Sequence, residues 1–369
     1  MGLRILLLSD VNSPHTRKIA GGLSAEGSSV GIFSLTKQDS VVKFTGDVKV
    51  FDGSALDREV IRGNLSGKLA YLKTVRSLKK TITEFNPDIV HAHYASSYGL
   101  LGKLSGFHPL VVSAWGSDLL DFPNSTVKRL LMKRILHSAD QVMCTSKTLS
   151  DEVKKISGKD SLITPFGIDV TEFAPRKTGS FFPDGTLVFG TVKSLEKVYG
   201  TDILIRAFAE AKKHIGEECG LLLVGGGSLE NELMELAQKL GVNESVHFVG
   251  RIDHTEVPRY HNAIDIFMNL SRYESFGVSV LESMSCGKPV IVSDTGGLAE
   301  IVSNGVDGIK VPVEDIAKAA EAMIILAEDH ELRKRMGEMG RKKVIDHYEW
   351  SQTIKLISER YQQMLKNRK

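Results

Sequence analysis

Short, uninterrupted apolar runs alternate along the whole chain with longer segments whose apolar residues recur every three or four positions. The runs fall at residues 4–9, 30–34, 88–92, 110–114, 141–145, 187–192, 221–224, 246–249, 264–269 and 289–293. A run apolar on both faces reads as a strand covered by helices on two sides, which is the signature of a parallel sheet. Repeated strand–helix alternation predicts doubly wound α/β domains. The first run stops at Ser9-Asp10, so it reads as a buried strand rather than a signal peptide. No stretch approaches the roughly 18 apolar residues of a membrane span.

One break in the periodicity stands out. Ala174-Pro175-Arg176-Lys177-Thr178-Gly179-Ser180 combines proline, glycine and charge without any repeat, which is linker composition. It predicts an N-terminal domain over 1–173 and a C-terminal domain over 184–349. Beyond them, Trp350, Ile354, Ile357, Tyr361 and Leu365 have helical spacing. The length of 369 residues, 42% hydrophobic and 25% charged, suits two globular domains. A formal net charge of +2 excludes a strongly polyanionic or polycationic protein but not a local basic face, and no nucleic-acid partner is expected. Cys144, Cys219 and Cys286 lie far apart, which fits free thiols in the cytoplasm and neither disulfides nor a zinc site.

Candidate chemistry concentrates after the 264–269 run. There a turn carries Glu274, and a helix opens near Phe276-Gly277-Val278 with Glu282 in its second turn. Unpaired N–H groups at a helix start form an anion site suited to a diphosphate. Two carboxylates bracketing it could face a sugar and a ribose; spacing alone allows equally a dipole-complementing Glu274 and a solvated Glu282. Val224-Gly225-Gly226-Gly227-Ser228-Leu229-Glu230 also links a strand to a helix but lacks the last glycine of a dinucleotide fingerprint. No Asp-x-Asp, phosphate-binding Gly-x-x-x-x-Gly-Lys or Gly-x-Ser-x-Gly motif is present.

Several of these segments together resemble the retaining glycosyltransferase family 4. Glu274 and Glu282 match its two glutamates separated by seven residues, and Glu282-Ser283-Met284-Ser285-Cys286-Gly287-Lys288-Pro289-Val290-Ile291 and Asp294-Thr295-Gly296-Gly297 continue its pattern. Thr164-Pro165-Phe166-Gly167-Ile168-Asp169 is similar to its interdomain motif. The resemblance implies GT-B architecture, two Rossmann-like domains facing across a cleft, with the C-terminal helix (350–369) packing back on the first domain. It implies Lys193 and Lys197 on the donor diphosphate, where Lys replaces the family's usual Arg at altered spacing. It further implies donor contacts at Gly226, Arg251, Ile252, Phe276, Gly277, Val278 and Glu282, and a sugar contact at Glu274.

In the N-terminal half, His91-Ala92-His93 ends a strand, where open parallel sheets gather ligands. The resemblance implies His93 beside the sugar, with His91 the runner-up and more simply a core histidine. Trp115 stands where the family often has His, and Asp118 matches an acid by position, either acceptor-side or a structural cap. Ser13 and His15 replace a glycine-rich acceptor loop, while Gly21-Gly22 sit inside the following helix at about 1 kcal/mol each. Close helix–sheet packing is the expected reason.

Two segments, 68–85 and 124–137, are basic and amphipathic. Lys73, Arg76, Lys79 and Lys80 mark the first, and Lys128, Arg129, Lys133 and Arg134 the second. They read as ordinary core-packed helices, or as a patch touching an anionic inner-membrane face. The whole predicts a retaining hexosyltransferase of cell-surface polysaccharide assembly, using a UDP- or GDP-sugar and a glycan or lipid-linked acceptor, without cofactor or metal. A nucleotide-sugar epimerase and a silent nucleotide-sugar-binding scaffold are the alternatives.

Overall fold

The computed structural model describes residues 2–40, 42–44, 46–53, 65–121 and 124–367, apart from the side chains of 65–72. The chain forms two compact units, Met1–Phe166 with Ser351–Lys369, and Gly167–Trp350. Among the described residues the first unit holds a seven-stranded parallel sheet: β1 (Arg4–Leu8), β2 (Ser29–Ser34), β3 (Val48–Asp52), β4 (Ile89–His93), β5 (Leu110–Ala114), β6 (Gln141–Cys144) and β7 (Leu162–Ile163). The second holds six parallel strands: β8 (Leu187–Val192), β9 (Cys219–Val224), β10 (Val246–Gly250), β11 (Ile266–Asn269), β12 (Val290–Ser293) and β13 (Gly308–Val311).

The spatial orders are β3-β2-β1-β4-β5-β6-β7 and β10-β9-β8-β11-β12-β13. In each sheet the order reverses once, between β1 and β4 and between β8 and β11. Crossovers diverge there and leave a crevice at the carboxyl ends of the strands, the usual ligand position in open α/β sheets. Central position explains the continuous apolar runs: Leu6 and Leu7 of β1 pair with Gly31 and Ile32 on one side and Val90 and His91 on the other. The pattern misses β3, β7 and β13, all of which lie at sheet edges. Charge interrupts the first and last of these, at Lys49 and Lys310.

Each unit has its own core. Leu6, Leu8, Phe33, Val90 and Val112 meet Leu101, Met132, Leu136 and Val153 in the first. Phe189, Leu221, Leu223, Ile266 and Met268 meet Leu204, Phe208 and Met323 in the second. Each such side chain contributes about 1.5–3 kcal/mol by burial.

The boundary differs from the linker prediction, since the chain leaves the first unit at Phe166. Residues 167–173 are bound into the second unit. Ile168 N donates to Tyr348 O at 2.7 Å, and Trp350 N to Ile168 O at 3.0 Å. Ser285 Oγ donates to Phe173 O at 2.7 Å. The proline-containing stretch follows and is itself held, Asn262 Nδ2 donating to Ala174 O and Arg176 N donating to Asn262 Oδ1.

The last helix, Trp350–Lys366, buries Ile354, Ile357 and Tyr361. Tyr361 Oη lies 2.5 Å from His91 Nδ1, and Arg360 Nε donates to Gln141 Oε1 at 2.7 Å. This helix also accounts for Gly22, which lies in the helix Pro14–Ala25. A Cβ on Gly22 would stand 2.6 Å from Ile354 Cγ1. The close contact at Gly22 is therefore helix on helix, not helix on sheet. Among the described residues no helix is long and apolar enough to cross a membrane.

Candidate active site

In the second unit, β8 delivers Lys193 to the carboxyl edge of the sheet. Lys193 N donates to Val224 O at 2.8 Å, so the lysine continues the ladder beside β9. The glycine turn after β9 then folds over it. Gly225 has φ +133°, and a Cβ there would lie 2.0 Å from Lys193 O. Leu195 N donates to Gly226 O and Leu229 N to Leu195 O. This turn thus braces the lysine loop. Gly226 also faces the stem of Arg251, whose Cγ would be 2.7 Å from an added Cβ. Arg251 is exposed and Ile252 half-buried, just beyond β10.

Next to β8, strand β11 ends at Asn269 and the chain turns through Glu274 into the helix Val278–Ser285. Gly277 caps that helix with φ +110° and no capping side chain, leaving first-turn N–H groups for another acceptor. Behind the turn, Gly297 N donates to Glu274 O at 2.8 Å. Gly296 has φ +48°, and any Cβ there would lie 2.0 Å from that same oxygen. The Thr295-Gly296-Gly297 motif therefore seats the Glu274 turn.

Glu274 and Glu282 are each 8% exposed. The Lys193 ammonium pairs with Glu274 Oε2 and lies 4.4 Å from the centroid of the Tyr199 ring. Lys197 is exposed, on the short turn Lys197–Tyr199. Arg272 ties that turn to the glutamate turn: Nη1 donates to Lys197 O at 2.6 Å, and the guanidinium grips Asp202 at 2.8 and 2.9 Å and Glu314 at 2.6 Å. Burial works to raise the Asp202 pKa, but the Arg272 hydrogen bonds and charge outweigh it and hold the carboxyl below its ordinary value. Two ammonium groups, an uncapped helix start and two nearly buried carboxylates thus share one sheet edge. That combination suits a polyanion bearing hydroxyl groups.

The first unit places its predicted residues differently. His91 is sealed, with Nε2 2.7 Å from Ser113 Oγ as well as the Tyr361 contact, and burial pushes its pKa down to about 3. His93 is fully buried. Its Nδ1 lies 3.0 Å from Ser9 Oγ, its Nε2 has no partner among the described residues, and the Trp115 ring covers it at 4.7 Å between centroids. Burial first, then the neighbouring His91 and His15, drive its pKa well below the ordinary value. In this structure His93 is a neutral, fully buried group. Asp118 is likewise fully buried, accepting from Ala95 N, Trp115 N and Gly116 N at 2.6, 3.1 and 2.8 Å. It stitches the loops after β4 and β5 together, which is the structural-cap reading of this residue. Ser13 occupies the N-cap position of the helix Pro14–Ala25 without a side-chain capping bond. His15 stacks on Phe166 at 4.0 Å, with Trp115 edge-on to both.

Residues 175–343 match the glycosyl transferases group 1 family, and residues 4–146 match the glycosyl transferase 4-like family. The chain belongs to the group 1 glycosyltransferases. An uncharacterised glycosyltransferase of Methanocaldococcus jannaschii is 26% identical to this glycosyltransferase, over 80% of the chain and 81% of the relative. The GDP-mannose-dependent alpha-(1-6)-phosphatidylinositol monomannoside mannosyltransferase of Mycolicibacterium smegmatis is 28% identical, over 74% and 76%. Among solved structures, sucrose-phosphate synthase of Thermosynechococcus elongatus superposes with a TM-score of 0.86 at 22% identity, covering 99% of this chain and 100% of that one. HepE of Anabaena, solved with UDP and glucose, gives 0.79 at 19% identity, covering 98% and 100%. The two parallel-sheet domains are those of the GT-B fold.

Three groups in this glycosyltransferase escape the sequence reading. Tyr199 sits in an unremarkable Val-Tyr-Gly turn, and only the folded chain lays its ring beneath Lys193. Ser279, in the first turn of the helix Val278–Ser285, buries a hydroxyl with no partner among the described residues. His261 reaches Glu282 from the helix Val257–Ala263. A cavity of about 650 Å³ at the opposite, amino edge of the second sheet is lined by Leu187, His214, Lys288 and Arg333. It is remote from the Lys193 edge by topology.

Proposed function

We propose that this glycosyltransferase moves a hexosyl group from a UDP- or GDP-linked donor, with retention, to a hydroxyl of a glycan or lipid-linked acceptor in cell-surface polysaccharide assembly. The observation that carries the proposal is the Lys193 ammonium held between Glu274 and the Tyr199 ring, beside an uncapped helix start. A sequence relative and a structural neighbour support the two donor types: the mannosyltransferase of Mycolicibacterium smegmatis is GDP-mannose-dependent, and HepE was solved with UDP-glucose.

The donor diphosphate accepts hydrogen bonds from the first turn of the helix Val278–Ser285 and faces Lys193 and Lys197. Charge builds on the diphosphate as the bond from anomeric carbon to phosphate oxygen breaks, and fixed positive groups stabilise that change. The acceptor oxygen bonds to the anomeric carbon on the face the leaving group vacates, and its proton passes to the departing phosphate oxygen. Glu274 orients the sugar, and Glu282 accepts from the ribose hydroxyls. The lysines and the helix dipole carry the neutralising charge, so no step calls for a metal.

The acceptor proposal includes the cytoplasmic face of an anionic membrane. On the helix Thr126–Ser138, Val127 and Leu130 are 78% and 48% exposed, interleaved with Lys128, Arg129, Lys133 and Arg134. Lys103, Leu130, Lys133 and Arg134 line a groove of about 540 Å³. Lys73, Arg76, Lys79 and Lys80 are exposed on the helix Leu65–Phe85, whereas Leu69 and Leu72 lie outside the described side chains. Basic and apolar groups side by side suit anionic headgroups.

Thermal-shift screening across UDP- and GDP-sugars is the first test, since binding to the folded state alone raises apparent stability. One donor class is expected to raise Tm, and release of its nucleoside diphosphate is expected to continue in chelator. Glu282→Gln is expected to raise KM for that donor, and Lys197→Ala to lower kcat. No shift with any nucleotide-sugar, or unchanged kinetics in both variants, would refute the assignment.

A further inference from the structure

We infer that His261 is a positioning residue for the nucleotide site, holding one oxygen of Glu282 so that the other stays aimed at the donor ribose; the inference rests on the ribose role proposed above for Glu282. His261 is fully buried, and its Nε2 lies 3.2 Å from Glu282 Oε2. Its other ring nitrogen, Nδ1, is buried without a partner among the described residues. This asymmetry decides which nitrogen donates. A proton on Nδ1 alone would bury an unpaired N–H and turn the Nε2 lone pair toward a carboxylate, two unfavourable contacts at once. The ring therefore donates from Nε2, and Glu282 Oε2 accepts. Glu282 Oε1 takes no hydrogen bond from the described residues, which leaves it for a ligand.

The slot around the ring keeps it from turning. Phe173 stands edge-on at 5.8 Å and Phe267 is tilted at 5.3 Å. The next residue, Asn262, is anchored by Nδ2 donating to Pro258 O at 2.8 Å and to Ala174 O at 3.0 Å. An aliphatic or aromatic side chain would fill an apolar slot of this kind without burying an unpaired nitrogen. The cost of Nδ1 is offset by the bond to Glu282, which restricts a carboxylate that would otherwise rotate. A fixed carboxylate loses less freedom when it accepts from a diol.

The test compares binding of UDP and GDP with that of their 2′,3′-dideoxy forms by calorimetry, in wild type, His261→Leu and His261→Gln. The wild type is expected to prefer the ribo form. In His261→Leu that preference falls about tenfold, the scale of one hydrogen bond to a charged group, while dideoxy affinity stays at the wild-type level. Glutamine, whose amide reaches the position of Nε2, restores the preference. Equal weakening of both forms in His261→Leu would mean packing alone, and an undiminished preference would mean no role; either result overturns the inference. Should His261→Leu not fold, His261→Asn, whose amide stops short of Glu282, must show the same selective loss. Glu282→Gln separates the two levels. A ribo preference that survives in Glu282→Gln refutes the ribose role of Glu282 itself, and the role of His261 falls with it.

Discussion

Replacing Lys193 by Met tests whether its contact with Glu274 is a working part of the second unit. The two side chains are 16% and 10% exposed, so the methionine leaves a nearly buried carboxylate without its counter-charge. Breaking such a pair costs about 3–5 kcal/mol when fully buried, and residual solvent access brings this to about 2–3 kcal/mol. Loss of the Tyr199 contact adds about 0.5–1 kcal/mol. At about 2–4 °C per kcal/mol for a unit of this size, Tm should fall by about 5–15 °C. Glu274→Gln should destabilise less, because the longer lysine side chain can turn its ammonium to water. In the double variant neither charge remains, and thermal denaturation should recover most of the lost stability. Sugar transfer should stay absent in all three. Circular dichroism melts and a nucleotide-release assay, run as a double-mutant cycle, read both quantities. Additive Tm shifts, or full turnover in Lys193→Met, would refute the reasoning.

Two further predictions concern the first unit. His91 and His93 are held neutral by burial, His91 with a pKa of about 3, whereas the unfolded chain protonates them near 6.5. The unfolded state therefore binds more protons below about pH 6.5, and stability falls as pH drops from there toward 3. His91→Asn should flatten that fall in pH-dependent denaturation, and an unchanged slope would contradict it. Gly22→Ala should destabilise by up to about 2 kcal/mol net, because crowding of about 1–3 kcal/mol offsets or exceeds the helix-propensity gain of about 1 kcal/mol. Ile354→Ala in the same chain should relieve the crowding, and stabilisation by Gly22→Ala alone would show that the two helices do not meet closely.

The parallel sheets were readable because central strands are apolar on both faces, as Leu6 and Leu7 illustrate. Strands β3, β7 and β13 were not, since edge strands lose the continuous signal and two of them carry charge. The Glu274–Glu282 segment was equally plain, its turn and helix falling where the pattern placed them. What the pattern hid was depth. His93 and Asp118 are polar residues at strand ends, which is also where ligands gather, and only packing shows Trp115 over one and three backbone amides around the other. Partnership across sequence distance was hidden too. His261 lies twenty-one residues before Glu282, and Tyr199 six after Lys193, spacings that carry no periodic meaning. The linker was misplaced because proline and charge mark irregular backbone, not the point where contacts change hands.

The helix that closes the first unit is made only after the whole of the second. Tyr361, which bonds His91, and Ile354, which meets Gly22, are more than 250 residues downstream of those partners. During synthesis the second unit, continuous in sequence, has everything it needs to fold while the first still waits with an uncovered histidine and an open groove beside Gly22. Expressing residues 2–166 alone would make that waiting state permanent, so separating the two units cleanly calls for a circular rearrangement that joins the last helix ahead of β1.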